Sequence, residues 1–118
     1  MKKDLKTEIQ KLINIYKFGD FNSVLKKCSS LLNDYPKNDF LWNLSGLSFQ
    51  QIGDHKNAIT SFQNALNSNQ NNYSAKNNLA ISYKNIFNYS KAIELLTELI
   101  KKFPKYVNAF TNLANIQN

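Results

Sequence analysis

Residues 39–72, DFLWNLSGLSFQQIGDHKNAITSFQNALNSNQNN, read as two amphipathic helices joined at Gly53-Asp54. Trp42, Gly46 and Phe49 share one face of the first helix, and Ala58, Phe62 and Ala65 share one face of the second. Neither helix can bury its apolar stripe alone. The rest of the chain supplies the partners, because it repeats the same unit. Gly19-Asp20-Phe21, Gly53-Asp54-His55 and Phe87-Asn88-Tyr89 stand 34 residues apart (19, 53, 87). Val24, Ala58 and Ala92 follow the same step, as do Leu31, Ala65 and Leu99, and Pro36, Gln70 and Pro104. A fixed period of this size is the mark of a solenoid in which each hairpin buries its face against the next. The predicted architecture is all-α, a right-handed superhelix of antiparallel helix pairs.

Outward from that stretch, the first unit spans residues 5–38. Leu5, Ile9, Leu12, Ile13 and Tyr16 give its first helix a stripe at spacings of three and four. Gly19 is placed to end that helix in the left-handed conformation, and Asp20 to cap the next. The second helix turns Val24, Leu25, Cys28, Leu31 and Leu32 inward and ends at Tyr35-Pro36, since the residue before proline is driven out of helical geometry. The third unit spans 73–106. Its helices carry Leu79, Ala80 and Tyr83, then Ala92, Ile93, Leu95, Leu96, Leu99 and Ile100, before Phe103-Pro104. Phe87 replaces glycine at its turn, so Asn88 is expected to take the left-handed position, or the turn to be rebuilt. Residues 107–118 begin a fourth copy and provide one helix, with Phe110 and Leu113 on the side where a partner helix belongs. The whole chain, 1–118, is read as one domain.

Composition narrows the function. All 15 basic residues are Lys, against 8 acidic ones, for a net charge of +7. That balance invites a nucleic-acid reading, but Arg, the usual reader of phosphate and base edges, is absent from the sequence. An Asn-, Lys- and Ile-rich composition accounts for the charge as a solvated surface. The single Cys28 excludes an intramolecular disulfide. MKKDLKTEIQ has acidic residues where a secretory apolar stretch would begin. No apolar run approaches the ~20 residues that span a bilayer. These features predict a cytoplasmic protein with no membrane insertion.

The order of a large apolar residue, a small one, an aromatic, Gly-Asp, Ala, aromatic, Ala and Pro resembles the tetratricopeptide repeat. Trp42, Gly46, Phe49, Gly53, Asp54, Ala58, Phe62 and Ala65 carry it in the second unit. Leu79, Ala80, Tyr83, Tyr89, Ala92, Leu96 and Pro104 carry it in the third. Bulky Leu12 stands in the small-residue slot of the first unit, and Ser45 in a slot usually held by Leu. Physical logic agrees. Gly46, Ala58, Ala65, Ala80, Ala92 and Ala114 are small where helices approach, and Trp42, Phe49, Phe62 and Tyr83 are large where gaps need filling.

No enzymatic constellation is present. Metal-ligand spacings, Gly-rich phosphate loops and nucleophile motifs are missing, so no cofactor and no catalysis are expected. His55 reads as a surface turn residue and Cys28 as core. Glu94 and Glu98, with Lys101-Lys102 beyond, suit the helix dipole.

The resemblance implies that the first helices of the units line a concave groove for a peptide or a partner protein. In register, Gln10, Ile13 and Lys17 stand there from the first unit, beside Lys6 and Ile9. Asn43, Leu47 and Gln50 follow from the second, beside Phe40, Leu44 and Gln51. Asn77, Asn78, Ile81, Lys84 and Asn85 come from the third, and Thr111, Asn112 and Asn115 from the last helix, beside Asn108. Asn offers a donor and an acceptor, as peptide main chain requires. Asn78 and Asn112 recur one period apart, with Gln10 in the same slot, and resemble the asparagine ladder of O-linked N-acetylglucosamine transferases. Leu44 interrupts it. The Lys-and-Asn clamp that some family members use for acidic C-terminal tails does not carry over, because its slots hold Ile9 and Ile13, or Asn43 and Leu47. Two other functions stay open at this point: the substrate-recruiting region of a larger glycosyltransferase or sulfotransferase, and Lys-mediated binding to nucleic acid or anionic surfaces. The unpaired last helix further predicts a homo-oligomer formed through the C-terminal end.

Overall fold

The computed structural model describes residues 4–117; the basic start Met1–Lys3 and the terminal Asn118 lie outside it. Those residues form α1 (Leu5–Phe18), α2 (Phe21–Asp34), α3 (Asp39–Gln51), α4 (His55–Ser68), α5 (Tyr73–Asn85), α6 (Tyr89–Lys102) and α7 (Val107–Gln117). The odd-numbered helices start at 5, 39, 73 and 107 and the even-numbered ones at 21, 55 and 89, so the 34-residue period of the sequence is the period of the backbone. Each helix packs on the next in the chain. α3 also meets α5, and α5 meets α7, which gives an all-α helical repeat solenoid with extents of 49 × 26 × 20 Å.

Short polar side chains set the helix starts. Asp20, Asn38, Asp54, Asn72 and Asn88 accept hydrogen bonds from the backbone N–H groups of Ser23, Leu41, Asn57, Ala75 and Lys91. Each satisfies a donor the helix cannot reach. Within each hairpin the turn has one geometry. Gly19 and Gly53 sit at φ of 90° and 80°, and the following residue donates back to Ile15 or Phe49.

The third turn corrects the expectation for Asn88. Phe87 itself takes the left-handed position, at φ 66°. Its N–H donates to the Lys84 carbonyl at 2.9 Å and the Asn88 N–H to that of Tyr83 at 2.8 Å, the same closure as in the glycine turns. Asn88 is held at φ −90° by its duty as cap of α6. One residue cannot serve as left-handed stop and negative-φ cap together, so the strain falls on Phe87.

The core runs along the array as three clusters. Leu12, Val24, Cys28, Leu31, Leu41 and Leu44 fill the first, with Ile9 packed against them. Ala58, Phe62 and Leu79 form the second, and Ala80, Ala92, Leu96, Leu99 and Ala109 the third. Gly46 is required by a close approach: a Cβ there would stand 2.3 Å from Cε1 of Phe62. Ser45, in its atypical slot, is buried and donates to the Leu41 carbonyl at 2.9 Å, so its hydroxyl is satisfied within α3. Trp42 anchors the preceding loop by donating from Nε1 to the Pro36 carbonyl at 2.9 Å.

Two expected packing roles change at the last helix. Ala114 is exposed instead of lying at a close helix contact. Leu113 packs with Ile116 against the third cluster, and the exposed large apolar residues of α7 are Val107 and Phe110. Helix α7 is thus covered on its α5–α6 side and open on the other. Among the described residues no helix is long and apolar enough to cross a membrane.

Candidate peptide-binding groove

The groove slots fall on α1, α3, α5 and α7, and the structure divides them into two groups. The first group braces the array. Asn43 and Asn77 are buried, 9% and 5% exposed. The Asn78 side-chain amide donates to Oδ1 of Asn43 at 3.1 Å, and Asn112 repeats the bond onto Asn77 at 2.8 Å. Asn43 also donates to the Ser74 hydroxyl at 3.5 Å. Gln50 reaches across from α3 to α5, donating to the Asn78 backbone carbonyl at 2.9 Å and to the Ser82 hydroxyl at 2.7 Å. These bonds join consecutive odd-numbered helices, so the asparagine ladder is knitted into the scaffold. Each pair uses one of the two amide protons of Asn78 or Asn112, and both residues stay half-buried at the surface.

Leu44 now has a physical reason. It occupies the slot of Asn78 and Asn112, and the slot paired with it one helix earlier, held by Asn43 and Asn77 in the later junctions, is Ile9. Leu44 is buried, and Ile9 packs against its cluster. Both partners are apolar together, which avoids a buried amide without a partner.

The second group faces solvent. Gln10, Lys17, Asn85, Thr111 and Asn115 are exposed, and Ile13, Leu47, Ile81 and Lys84 are half-buried. Leu47 leans on the second core cluster. Gln10 donates to Asn14 within α1 at 3.3 Å. Lys84, Asn85 and Asn115 come together at one open cleft of about 550 Å³, completed by Phe87, Tyr89 and Ile116. The groove slots hold Lys6, Lys17 and Lys84 and no Asp or Glu, so this face is electropositive.

Cys28 and Asp20 serve the fold. Cys28 is fully buried, and burial pushes its thiol up, opposed in part by a hydrogen bond with Ser45. A thiol so placed is a poor nucleophile. Hydrogen bonds from the Ser23 hydroxyl and backbone N–H hold Asp20 below the usual carboxylate range, as a helix cap requires. His55, expected at the surface, is half-buried, and its Nδ1 is enclosed without a hydrogen-bond partner. Among the described residues no group of three or more His, Cys, Asp or Glu side chains is placed to hold a metal ion. Glu98, read from the sequence as serving its own helix, is instead paired with Lys76 of α5 at 2.7 Å.

Two family models, both described as tetratricopeptide repeat, match residues 41–72 and 78–106, together just over half of the chain. The chain belongs to the tetratricopeptide repeat family. Among curated proteins, this repeat chain is 32% identical over 62 residues to the N-terminal acetyltransferase A complex subunit-like protein C418.02 of Schizosaccharomyces pombe. The match covers 52% of the chain and only 9% of that relative's length. Among solved structures, the second tetratricopeptide repeat domain of human RPAP3, in complex with the HSP70 peptide SGPTIEEVD, superposes with a TM-score of 0.88. That likeness covers 94% of this chain and 92% of the other at 14% identity. The first such domain of Spaghetti (RPAP3), bound to the HSP90 peptide SRMEEVD, gives 0.89 over 97% and 93% of the two chains, also at 14% identity. Identities this low speak for the fold.

Proposed function

We propose that this chain is a protein-interaction scaffold that takes an extended peptide segment of a partner along the inner face of α1, α3, α5 and α7. One observation carries the reading. Beside the core and the inter-helix bonds, the groove slots present Ile13 and Ile81, with Leu47 half-buried against the second cluster, next to Lys17, Lys84, Asn85, Thr111 and Asn115. Apolar side chains ringed by donors suit a peptide, whose side chains need burial and whose main chain needs hydrogen bonds. Similar domains bind the chaperone peptides named above, which supports the same kind of use here.

The charge of the face selects the peptide class. With Lys6, Lys17 and Lys84 and no carboxylate in the groove slots, an acidic segment is steered in and a basic one repelled. Grip on a terminal carboxylate through the family's Lys-and-Asn clamp is not part of this proposal, because Ile9, Ile13 and Leu47 stand in its slots.

Selection of random displayed peptides against the chain tests the proposal. Recovered peptides should be rich in Asp and Glu and should lose at least tenfold in affinity for a Lys17→Glu, Lys84→Glu variant. Peptides indifferent to that variant, or no recovery at all, would overturn the groove as the binding site.

A further inference from the structure

The corner between α6 and α7 breaks the rule that the other corners keep. At the residue before each earlier odd-numbered helix stand Asp4, Asn38 and Asn72; before α7 stands Tyr106. Asn38 and Asn72 accept from the backbone of their own helices at 2.9 Å. A phenol ring does this poorly, so the substitution gives up a helix cap. The first corner holds Tyr35, Asn38 and Leu5, so the cap slot alone departs from both earlier corners. In the second repeat the corresponding corner is polar, with Asn69 and Asn72 donating to Asp39 at 3.2 and 2.8 Å. The same three slots one period later hold Phe103, Tyr106 and Tyr73. Their rings cluster, with centroids 5.2 Å apart for Tyr73 and Phe103 and 4.8 Å for Tyr73 and Tyr106.

These rings line an open cleft of about 500 Å³ with Pro104, Lys102 and Lys105. Tyr73 keeps 46% of its surface exposed. Where a helix cap is given up and the ring that replaces it closes an aromatic cluster, function is the usual reason. Three tilted rings alone would suit a cation. The surroundings forbid one. Lys102 lies over the Phe103 ring at 5.8 Å, Lys105 lines the cleft, and no acidic residue follows Glu98 in the sequence. Glu98 itself is paired with Lys76. Lys102 spends one donor on Asn71, which leaves an ammonium with further donors to offer. An apolar floor under a lysine rim fits an aromatic side chain, packed edge to face, with carboxylates on either side.

We propose that the Tyr73–Phe103–Tyr106 cleft is a second docking site, separate from the groove, for an acidic peptide segment carrying one aromatic side chain. Titrating the 15N-labelled full chain with acetyl-Asp-Glu-Phe-Glu-Asp-amide tests it. Saturable shifts should centre on Tyr73, Phe103, Lys105, Tyr106 and Val107. Affinity should fall at least tenfold when Ala replaces Phe in the peptide, and at least tenfold for a Lys102→Glu, Lys105→Glu variant. Tyr106→Asn, which restores the residue type of the earlier corners, should lose binding tenfold while melting no lower than the parent. Lys17→Glu with Lys84→Glu should leave this affinity unchanged, which separates the cleft from the groove. Absence of shifts at millimolar peptide, shifts confined to the groove, or equal binding of acetyl-Lys-Lys-Phe-Lys-Lys-amide would overturn the site. So would unchanged affinity in Tyr106→Asn; if that variant unfolds, the ring is core and the charge-reversed pair alone decides.

Discussion

Asn78 donates its side-chain amide to the side-chain carbonyl of Asn43 at 3.1 Å, and the pair ties α5 to α3 next to the candidate groove. Asn43 is almost fully buried, so removing Asn78 alone strands a desolvated acceptor. Asn78→Ala is expected to cost about 1–3 kcal/mol. The first junction suggests the rescue, since Ile9 and Leu44 occupy the same two slots there. Asn43→Ile combined with Asn78→Leu should be more stable than the sum of its single changes by about 1 kcal/mol or more. Urea unfolding of the four proteins in a double-mutant cycle measures this. Strict additivity would mean that the pair is not a coupled unit.

The contact between Gly46 and Phe62 is a backbone-to-ring packing that no side chain can enter. A Cβ at 46 would overlap three atoms of the Phe62 ring at 2.3–2.7 Å. Alanine is otherwise the better helix former by about 1 kcal/mol, so Gly46→Ala sets helix propensity against overpacking. Overpacking of a rigid buried ring should win, leaving a net loss of about 1–2 kcal/mol. Adding Phe62→Leu removes the clash, and Gly46→Ala should then be neutral or stabilising in that background. Chemical denaturation in both backgrounds checks the sign reversal.

Phe87 carries the turn strain that Gly19 and Gly53 avoid, at φ 66° and 77% exposed. Left-handed geometry costs an ordinary residue about 1–2 kcal/mol, and glycine returns part of that through its freer unfolded chain. Phe87→Gly should therefore stabilise the fold by roughly 0.5–1 kcal/mol, seen as a higher thermal midpoint. If the exposed ring contributes to the cleft with Lys84 and Asn115, the same change should weaken any peptide seated there. A lower midpoint would mean that the Phe87–Tyr89 ring contact, at 6.3 Å, outweighs the backbone strain.

The period of 34, the Gly-Asp turns and the small-residue slots were legible because they are local and repeated: the same residue types recur wherever the same contact recurs. Phe87 was misread for the opposite reason. Its conformation follows from competition with Asn88 for two roles, and only the cap bond to Lys91 decides who yields. The groove slots were legible as positions, since register alone puts Asn43, Asn77, Asn78 and Asn112 on one side of their helices. Their partners were not, because the bonds join residues 35 apart and not 34. A slot-by-slot comparison at the repeat period looks past that pairing. The aromatic corner had a signal in plain view, Tyr106 in a slot otherwise held by Asp or Asn, but its weight depends on Tyr73 and Phe103 meeting it in space.

Cys28 offers a probe of the fold that leaves the surface untouched. Its thiol is fully buried between α1, α2 and α3, and burial holds it above its ordinary range. In the unfolded chain the thiol ionises near its free value of roughly 8.5. Above that pH the unfolded state binds fewer protons than the folded one, so stability falls as pH rises. Below it the two states hold the same proton and the dependence vanishes. Urea midpoints at pH 7 and pH 10 should show this loss, and Cys28→Ala should remove the part that belongs to the thiol. Thiol-specific labelling makes the complementary measurement. Folded protein should react only through opening, so Gly46→Ala, which weakens the neighbouring junction, should label faster by about the factor its stability loss predicts, tenfold for each 1.4 kcal/mol. Rapid labelling of the unmodified chain at a rate independent of stability would mean that the first cluster opens locally, without unfolding of the array.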